Sequence, residues 1–198
     1  MNHHKTFRSP SVVSGVLAVL LLAAGLSFAA DAPVAPPASA QTPKAAKAAG
    51  AIRIMAALDA PHTDETGVRW LAAQGFLDGD TIERPELKIE NTKTPSIYRS
   101  ERFGMSKFSR KLANGSYTVK LHFAITYEGI GGPGEVVFTV VVAGHEIKDL
   151  DIWKKAGGGL RAYVETVPVT VTNGELEISF ISQSQNPTIS AIEIIPAS

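Results

Sequence analysis

The stretch Tyr117–Tyr127, Y-T-V-K-L-H-F-A-I-T-Y, decides the fold class. Tyr117, Val119, Leu121, Phe123, Ile125 and Tyr127 take every second position, with Thr118, Lys120, His122, Ala124 and Thr126 between them. That period is the side-chain alternation of an extended strand with one buried face. Asn114-Gly115 at its entrance is a tight-turn pair, and E-G-I-G-G-P-G from Glu128 to Gly134 cannot continue a sheet ladder. A core strand is therefore expected to deliver Tyr127 and Glu128 to the lip of a flexible, glycine-rich loop.

Further strand candidates flank it. Ile52–Leu58 alternates, and Val68–Phe76 reads either as a short strand or as irregular core. Leu77–Thr94 lacks a firm period yet is long for a structureless loop, so it is expected to wrap the domain or to form a functional rim. Ile97–Phe103 and Phe108–Leu112 are short extended segments, and the branched run Val136–Ala143 has the length of a central strand before the turn at Gly144. Ile147–Trp153 precedes the interruption Gly157–Gly159. Tyr163–Thr172 and Glu175–Ser182 flank Asn173-Gly174 as a hairpin, and Thr188–Ile195 closes the domain. With no clear amphipathic helical period, this spacing predicts an all-β protein of two antiparallel sheets packed face to face. A jelly-roll sandwich is the leading architecture; periodicity alone does not separate it from an immunoglobulin-like sandwich.

The 198 residues are 44% hydrophobic and 19% charged, an ordinary globular composition, and they include no cysteine. Disulfides, cysteine metal sites and lipidation of an N-terminal cysteine are excluded, so the core must hold the domain together. Lys5 and Arg8 precede the apolar run Val12–Leu26, and Ser27-Phe28-Ala29 ends in small residues. This predicts a signal peptide over 1–29, with an uncleaved membrane anchor as its rival, and hence a secreted or periplasmic protein. Residues 30–50, rich in Ala, Pro and Lys, read as a tether, and residues 51–198 as the domain. Without Lys5 and Arg8 the chain carries two more acids than bases, and no basic block remains for a nucleic-acid groove.

Chemical motifs are sparse. His62, Asp64 and Glu65 form a small polar group in a proline-containing turn, which reads as a solvated turn rather than a transition-metal site; calcium held by loop oxygens stays open. Trp70 and Trp153 sit among apolar neighbours and read as core, while His122 and His145 lack a catalytic partner in sequence. The glycine runs lack the G-K-S/T and strand-to-helix setting of a phosphate loop.

Six stretches, taken in order, resemble a malectin domain. They are Ile52–Ala57; W-L-A-A-Q-G-F within Val68–Phe76; I-Y-R-S-E-R-F-G at Ile97–Gly104; L-H-F-A-I-T-Y at Leu121–Tyr127; Val137–Gly144; and D-L-D-I-W-K-K-A-G-G at Asp149–Gly158. The resemblance covers residues 51–198. It implies a jelly-roll sandwich that binds an oligosaccharide or polysaccharide through loops at one end, without catalysis or a cofactor. Phe103 then matches the aromatic after the E-R pair, Tyr127 and Glu128 match a pair of aromatics, and Gln185, followed by Asn186, matches the acid of a D-N-P turn. An early-loop tyrosine of the family has no counterpart between Leu77 and Thr94. Phe103 and Tyr127 are thus expected to stack on a sugar, with Glu128, Gln185 and Asn186 taking hydroxyls. Tyr98, Glu101 and Arg102 are expected to support the site, the last two as a charge pair that pins the loop. The alternative is a module of the cell envelope that has kept the sandwich, lost the sugar site and binds a protein.

Overall fold

The computed structural model describes residues 50–197. The expected signal peptide, and the expected tether apart from Gly50, lie outside the described residues. In chain order the strands are β1 (Ile52–Met55), β2 (His62–Thr63), β3 (Arg69–Trp70), β4 (Phe76–Glu83), β5 (Ser100–Lys111), β6 (Gly115–Phe123), β7 (Val137–Val142) and β8 (His145–Asp151). A five-residue helix α1 (Ile152–Ala156) follows, then β9 (Tyr163–Val171), β10 (Glu175–Ser184), β11 (Thr188–Ile189) and β12 (Ala191–Pro196).

One sheet has the order β1-β12-β6-β9, and the other contains β5-β10-β7-β8, with every pairing antiparallel. These two interleaved orders of eight strands are those of a jelly roll, which resolves the ambiguity left by periodicity. Phe103 of β5 pairs with Asp80 and also with Thr188, so β4 and β11 lie on opposite sides of β5. The alternation of β6 works as its sequence implies. Val119, Leu121 and Phe123 face the other sheet and are buried with Phe108, Phe138, Leu176 and Ile178, and Phe123 meets Phe138 edge-on at 6.0 Å.

The structure corrects four expectations. β6 stops at Phe123, so Tyr127 lies beyond the strand rather than at its end. Asn173-Gly174 does not close a hairpin: β9 pairs with β6, whereas β10 pairs with β5 and β7 in the opposite sheet. Asn114-Gly115 makes a similar crossing from β5 to β6, and the Asn114 side chain accepts from Gly174 N at 2.8 Å, joining the two arches. Third, Phe76–Glu83 is a true strand, hidden in sequence because Asp78 (φ +63°) and Gly79 (φ +81°) interrupt its period with left-handed backbone, beside a bulge where β5 carries the extra residue, Ser106. Fourth, the sheet ends at Asp151, whose side chain caps α1 by accepting from Lys154 N, and Gly157 stops the helix in the left-handed region.

The segment between β1 and β5 wraps the domain. Trp70, Ile89, Ile97 and Tyr98 cover the outer face of the first sheet, burying Met55, Ala124, Ala162 and Ala191. His122, on that outer face, is therefore buried with its Nδ1 2.9 Å from the Tyr98 hydroxyl and the Trp70 ring edge-on at 5.4 Å. The polar turn fastens the wrap. Asp64 accepts from Trp70 Nε1 at 2.9 Å and from Thr66 and Val68, while His62 and Glu65 both bond to Ser96. Burial pushes the Asp64 carboxyl up, but these hydrogen bonds outweigh it and hold the group below the usual carboxylate range.

Candidate functional site

β6 and β10 end, and β5, β7 and β12 begin, at one end of the sandwich. The inner face of β5 continues past the core there as Phe103 and Glu101, because alternate residues of a strand share a face. Opposite them the chain leaves β6 and runs through Ile125, Thr126 and Tyr127 into the glycine-rich loop. A cleft of about 350 Å³ opens between these segments.

Its floor is a polar cluster. Glu101, 5% exposed, takes Arg84 Nη1 at 2.7 Å and the Thr126 hydroxyl at 2.6 Å on one oxygen, and the Thr188 hydroxyl at 2.6 Å on the other. Arg84 Nη1 also reaches Thr126 Oγ1 at 2.7 Å, and Arg84 N donates to Arg99 O at 2.6 Å. A buried carboxylate is tolerable only when paired and hydrogen-bonded in this way. Ile82, Ile125, Ile130 and Val136 make the aliphatic walls, Phe103 and Tyr127 the aromatic ones, and Gln185 and Asn186 the polar rim.

Local backbone explains the placement. The turn Tyr127–Ile130 is closed by Ile130 N donating to Tyr127 O at 3.1 Å, which buries Ile130 and leaves Tyr127 59% exposed. The Tyr127 ring lies against Gly129, where an added Cβ would come within 2.5 Å of it. Ile130 and Val136 anchor the loop in the core, and Gly134 N donates to Asp151 at 2.8 Å. Gln185 adopts φ +57°, and Asn186 packs over Gly104, whose N–H donates to Pro187 O at 2.9 Å.

Phe103, Tyr127, Gln185 and Asn186 are thus brought together, with Glu101 beneath them. Glu128 is not with them: it lines a neighbouring cleft with Trp153, Gly159 and Leu160, on the other side of Tyr127. The expected Glu101–Arg102 pair does not form, since adjacent strand residues point to opposite faces. Arg102 instead donates to Ala56 O, Asp78 O and Gly79 O and lies 5.3 Å over the Phe76 ring, so it secures the left-handed stretch Asp78-Gly79 of β4. Tyr98 also faces away, toward His122 under the wrap. Arg84, Thr126 and Thr188 were not legible as site residues, because Arg84 and Glu101 are 17 positions apart and only the β4–β5 pairing joins them.

Apolar walls with a few fixed polar groups suit a small ligand that has both C–H faces and hydroxyls. Among the described residues, no group of three or more His, Asp or Glu is placed to hold a metal ion.

Comparison with known proteins agrees with this architecture. Residues 54–192 match the Malectin domain. The chain is 33% identical over 128 residues to a kinesin-like protein, KIN-14E, of Oryza sativa subsp. japonica, covering 59% of this chain and 12% of that protein. It is 30% identical over 168 residues to a probable leucine-rich repeat receptor-like serine/threonine-protein kinase of Arabidopsis thaliana, covering 70% and 16%. The chain therefore spans only a small part of either relative. Among solved structures, a Bacteroides uniformis beta-glucuronidase shares the fold with a TM-score of 0.68 at 18% identity, over 75% of this chain and 18% of that one. A complex of the plant peptide RALF23 with FER and LLG2 gives a TM-score of 0.63 at 15% identity, over 73% and 48%. With a jelly roll built as described and the match spanning residues 54–192, the chain belongs to the malectin domain family.

Proposed function

We propose that this protein is a non-catalytic carbohydrate-binding domain that takes a neutral, glucose-type or related glycan in the cleft at the end of the sandwich. The observation that carries the reading is the convergence of two aromatic rings, Phe103 and Tyr127, and two side-chain amides, Gln185 and Asn186, on one cleft. A pyranose ring stacks its C–H face on aromatics while amides bond its hydroxyls. Glu101 is the one carboxylate on this cleft's lining and is committed to three hydrogen bonds. Glycoside hydrolysis generally needs a facing pair of carboxyl groups about 5–10 Å apart, so this lining favours binding over cleavage. The sequence of residues 1–50 supports export, with cleavage after residue 29 and a tether up to the domain.

The test is a glycan array followed by calorimetric titration of the purified protein. Binding to a neutral glycan that weakens at least about tenfold in Phe103→Ala and Tyr127→Ala is expected. Binding to no neutral glycan, or binding indifferent to both substitutions, would refute the proposal.

A protein-interaction role is the second reading. It is favoured by the replacement of a family aromatic at Glu128 and of a family acid at Gln185, and by a fold neighbour solved in a peptide complex. A specific envelope protein recovered by pull-down and not displaced by sugars would support it.

A further inference from the structure

We infer that the glycan site has a second subsite on the far side of Tyr127, built by Trp153 and Glu128, that takes the next ring of an oligosaccharide chain. The inference rests on the carbohydrate reading of the first cleft. The two clefts adjoin: Ile125, Thr126, Tyr127 and Ile130 line both. The second has a volume of about 320 Å³, close to that of the first, and each alone is near the ~300 Å³ lower limit of small-molecule pockets. A ligand confined to one would leave half of this surface, and one side of Tyr127, unused.

The second cleft is held in place by hydrogen bonds as well as packing. Asp151, itself buried, caps the helix that carries Trp153 through Lys154 N at 3.0 Å, and its other oxygen takes Gly134 N at 2.8 Å from the loop that follows Glu128. One carboxylate thereby fixes both walls. Leu160 N donates to Ile125 O at 2.9 Å, binding the 157–160 turn to the segment shared with the first cleft. Trp153 packs one part of its ring on the core and presents the rest to the cleft. Gly159 lies so near the indole that a Cβ there would fall 2.8 Å from Cζ3, so a side chain at this position would displace the ring or fill the space.

The chemistry is that of a chain of linked pyranoses. Successive rings present C–H faces to Tyr127 and to Trp153, the strongest aromatic platform of the site, and the exposed Glu128 carboxylate accepts hydroxyl hydrogens. That carboxylate also disfavours a uronic acid in the second position, since like charges repel.

The experiment titrates the protein with glucose oligosaccharides of one to six units, in α-1,4, β-1,3 and β-1,4 linkage. Affinity is expected to rise about tenfold from a single unit to the length that reaches both clefts, then to level off. Glu128→Ala and Trp153→Ala should lose that gain, roughly threefold to tenfold, without weakening the shortest ligand, whereas Phe103→Ala weakens every length. Should Trp153→Ala fail to fold, Glu128→Ala and the tryptophan emission of the unaltered protein decide. Trp70 is buried under the wrap, so long ligands should change the emission and glucose should not. Affinity independent of length, or Glu128→Ala binding long chains as tightly as the parent while Phe103→Ala does not, would overturn the second subsite and leave the first standing. No binding of any series would overturn both.

Discussion

Replacing Glu101 by alanine should destabilise the domain and collapse the floor of the cleft. Glu101 is 5% exposed and receives Arg84, Thr126 and Thr188, so its removal strips three donors of their acceptor at once. Breaking a buried ion pair by deleting one partner costs about 3–5 kcal/mol, because the remaining charge is left without compensation. The Arg84 side chain keeps 22% of its exposure and can regain some water, which places the cost near the lower figure, roughly 3 kcal/mol. For a domain of this size that is a drop in Tm of roughly 6–12 °C. Glu101→Gln keeps the volume and one acceptor oxygen but loses the charge, and should cost about half as much. Thermal unfolding followed by circular dichroism, with denaturant titration for the free energy, measures both. Glu101→Ala within about 0.5 kcal/mol of the parent would refute the view that this cluster is a buried, fully engaged network.

Three other outcomes are expected. Gly79→Ala should cost more than 3 kcal/mol on a rough scale, since its Cβ would sit 2.6 Å from Phe103 O in a left-handed backbone. Gly67→Ala, left-handed but with open space around it, should cost only about 1–2 kcal/mol, and urea unfolding compares the two. Gly129→Ala should push the Tyr127 ring off its seat and weaken glycan binding while leaving the unfolding midpoint nearly unchanged, as titration and thermal melts would show. Burial, reinforced by Lys120 and Arg53, lowers the His122 pKa from 6.5 to about 4. The unfolded chain then binds the extra proton between these values, so stability falls as pH drops from about 6.5 to 4, by about 3 kcal/mol in all. Unfolding at pH 7 and pH 5 in the parent and in His122→Asn checks this, with a shallower dependence expected in the variant.

Patterns carried within a few residues were legible, and pairings across the chain were not. The alternation of β6 fixed one buried face, and the resemblance of six ordered stretches led to the jelly roll. Asn173-Gly174 encodes a reversal of direction but nothing about which sheet the next strand joins, so an arch between sheets looked like a hairpin. β4 was hidden by the left-handed residues Asp78 and Gly79 in its middle. Phe103, Tyr127, Gln185 and Asn186 were singled out by the family resemblance, and the fold brings all four to the lining of one cleft. Arg84 carried no such mark; Trp153 does pack against the core, as its apolar neighbours imply, but D-I-W gives no sign that a helix begins after Asp151. Glu101 and Arg102 appeared to be partners in a linear reading, which strand alternation forbids.

The most direct test of the central claim is an amide chemical-shift map of the isotope-labelled protein during titration with the tightest-binding neutral oligosaccharide. Saturable shifts concentrated at Phe103, Thr126–Ile130 and Gln185–Thr188 are predicted, and they should vanish in a Phe103→Ala, Tyr127→Ala double variant that retains its fold. Shifts centred instead on the opposite end, around Asn114 and Asn173, or saturable binding that leaves the cleft residues unmoved, would contradict it.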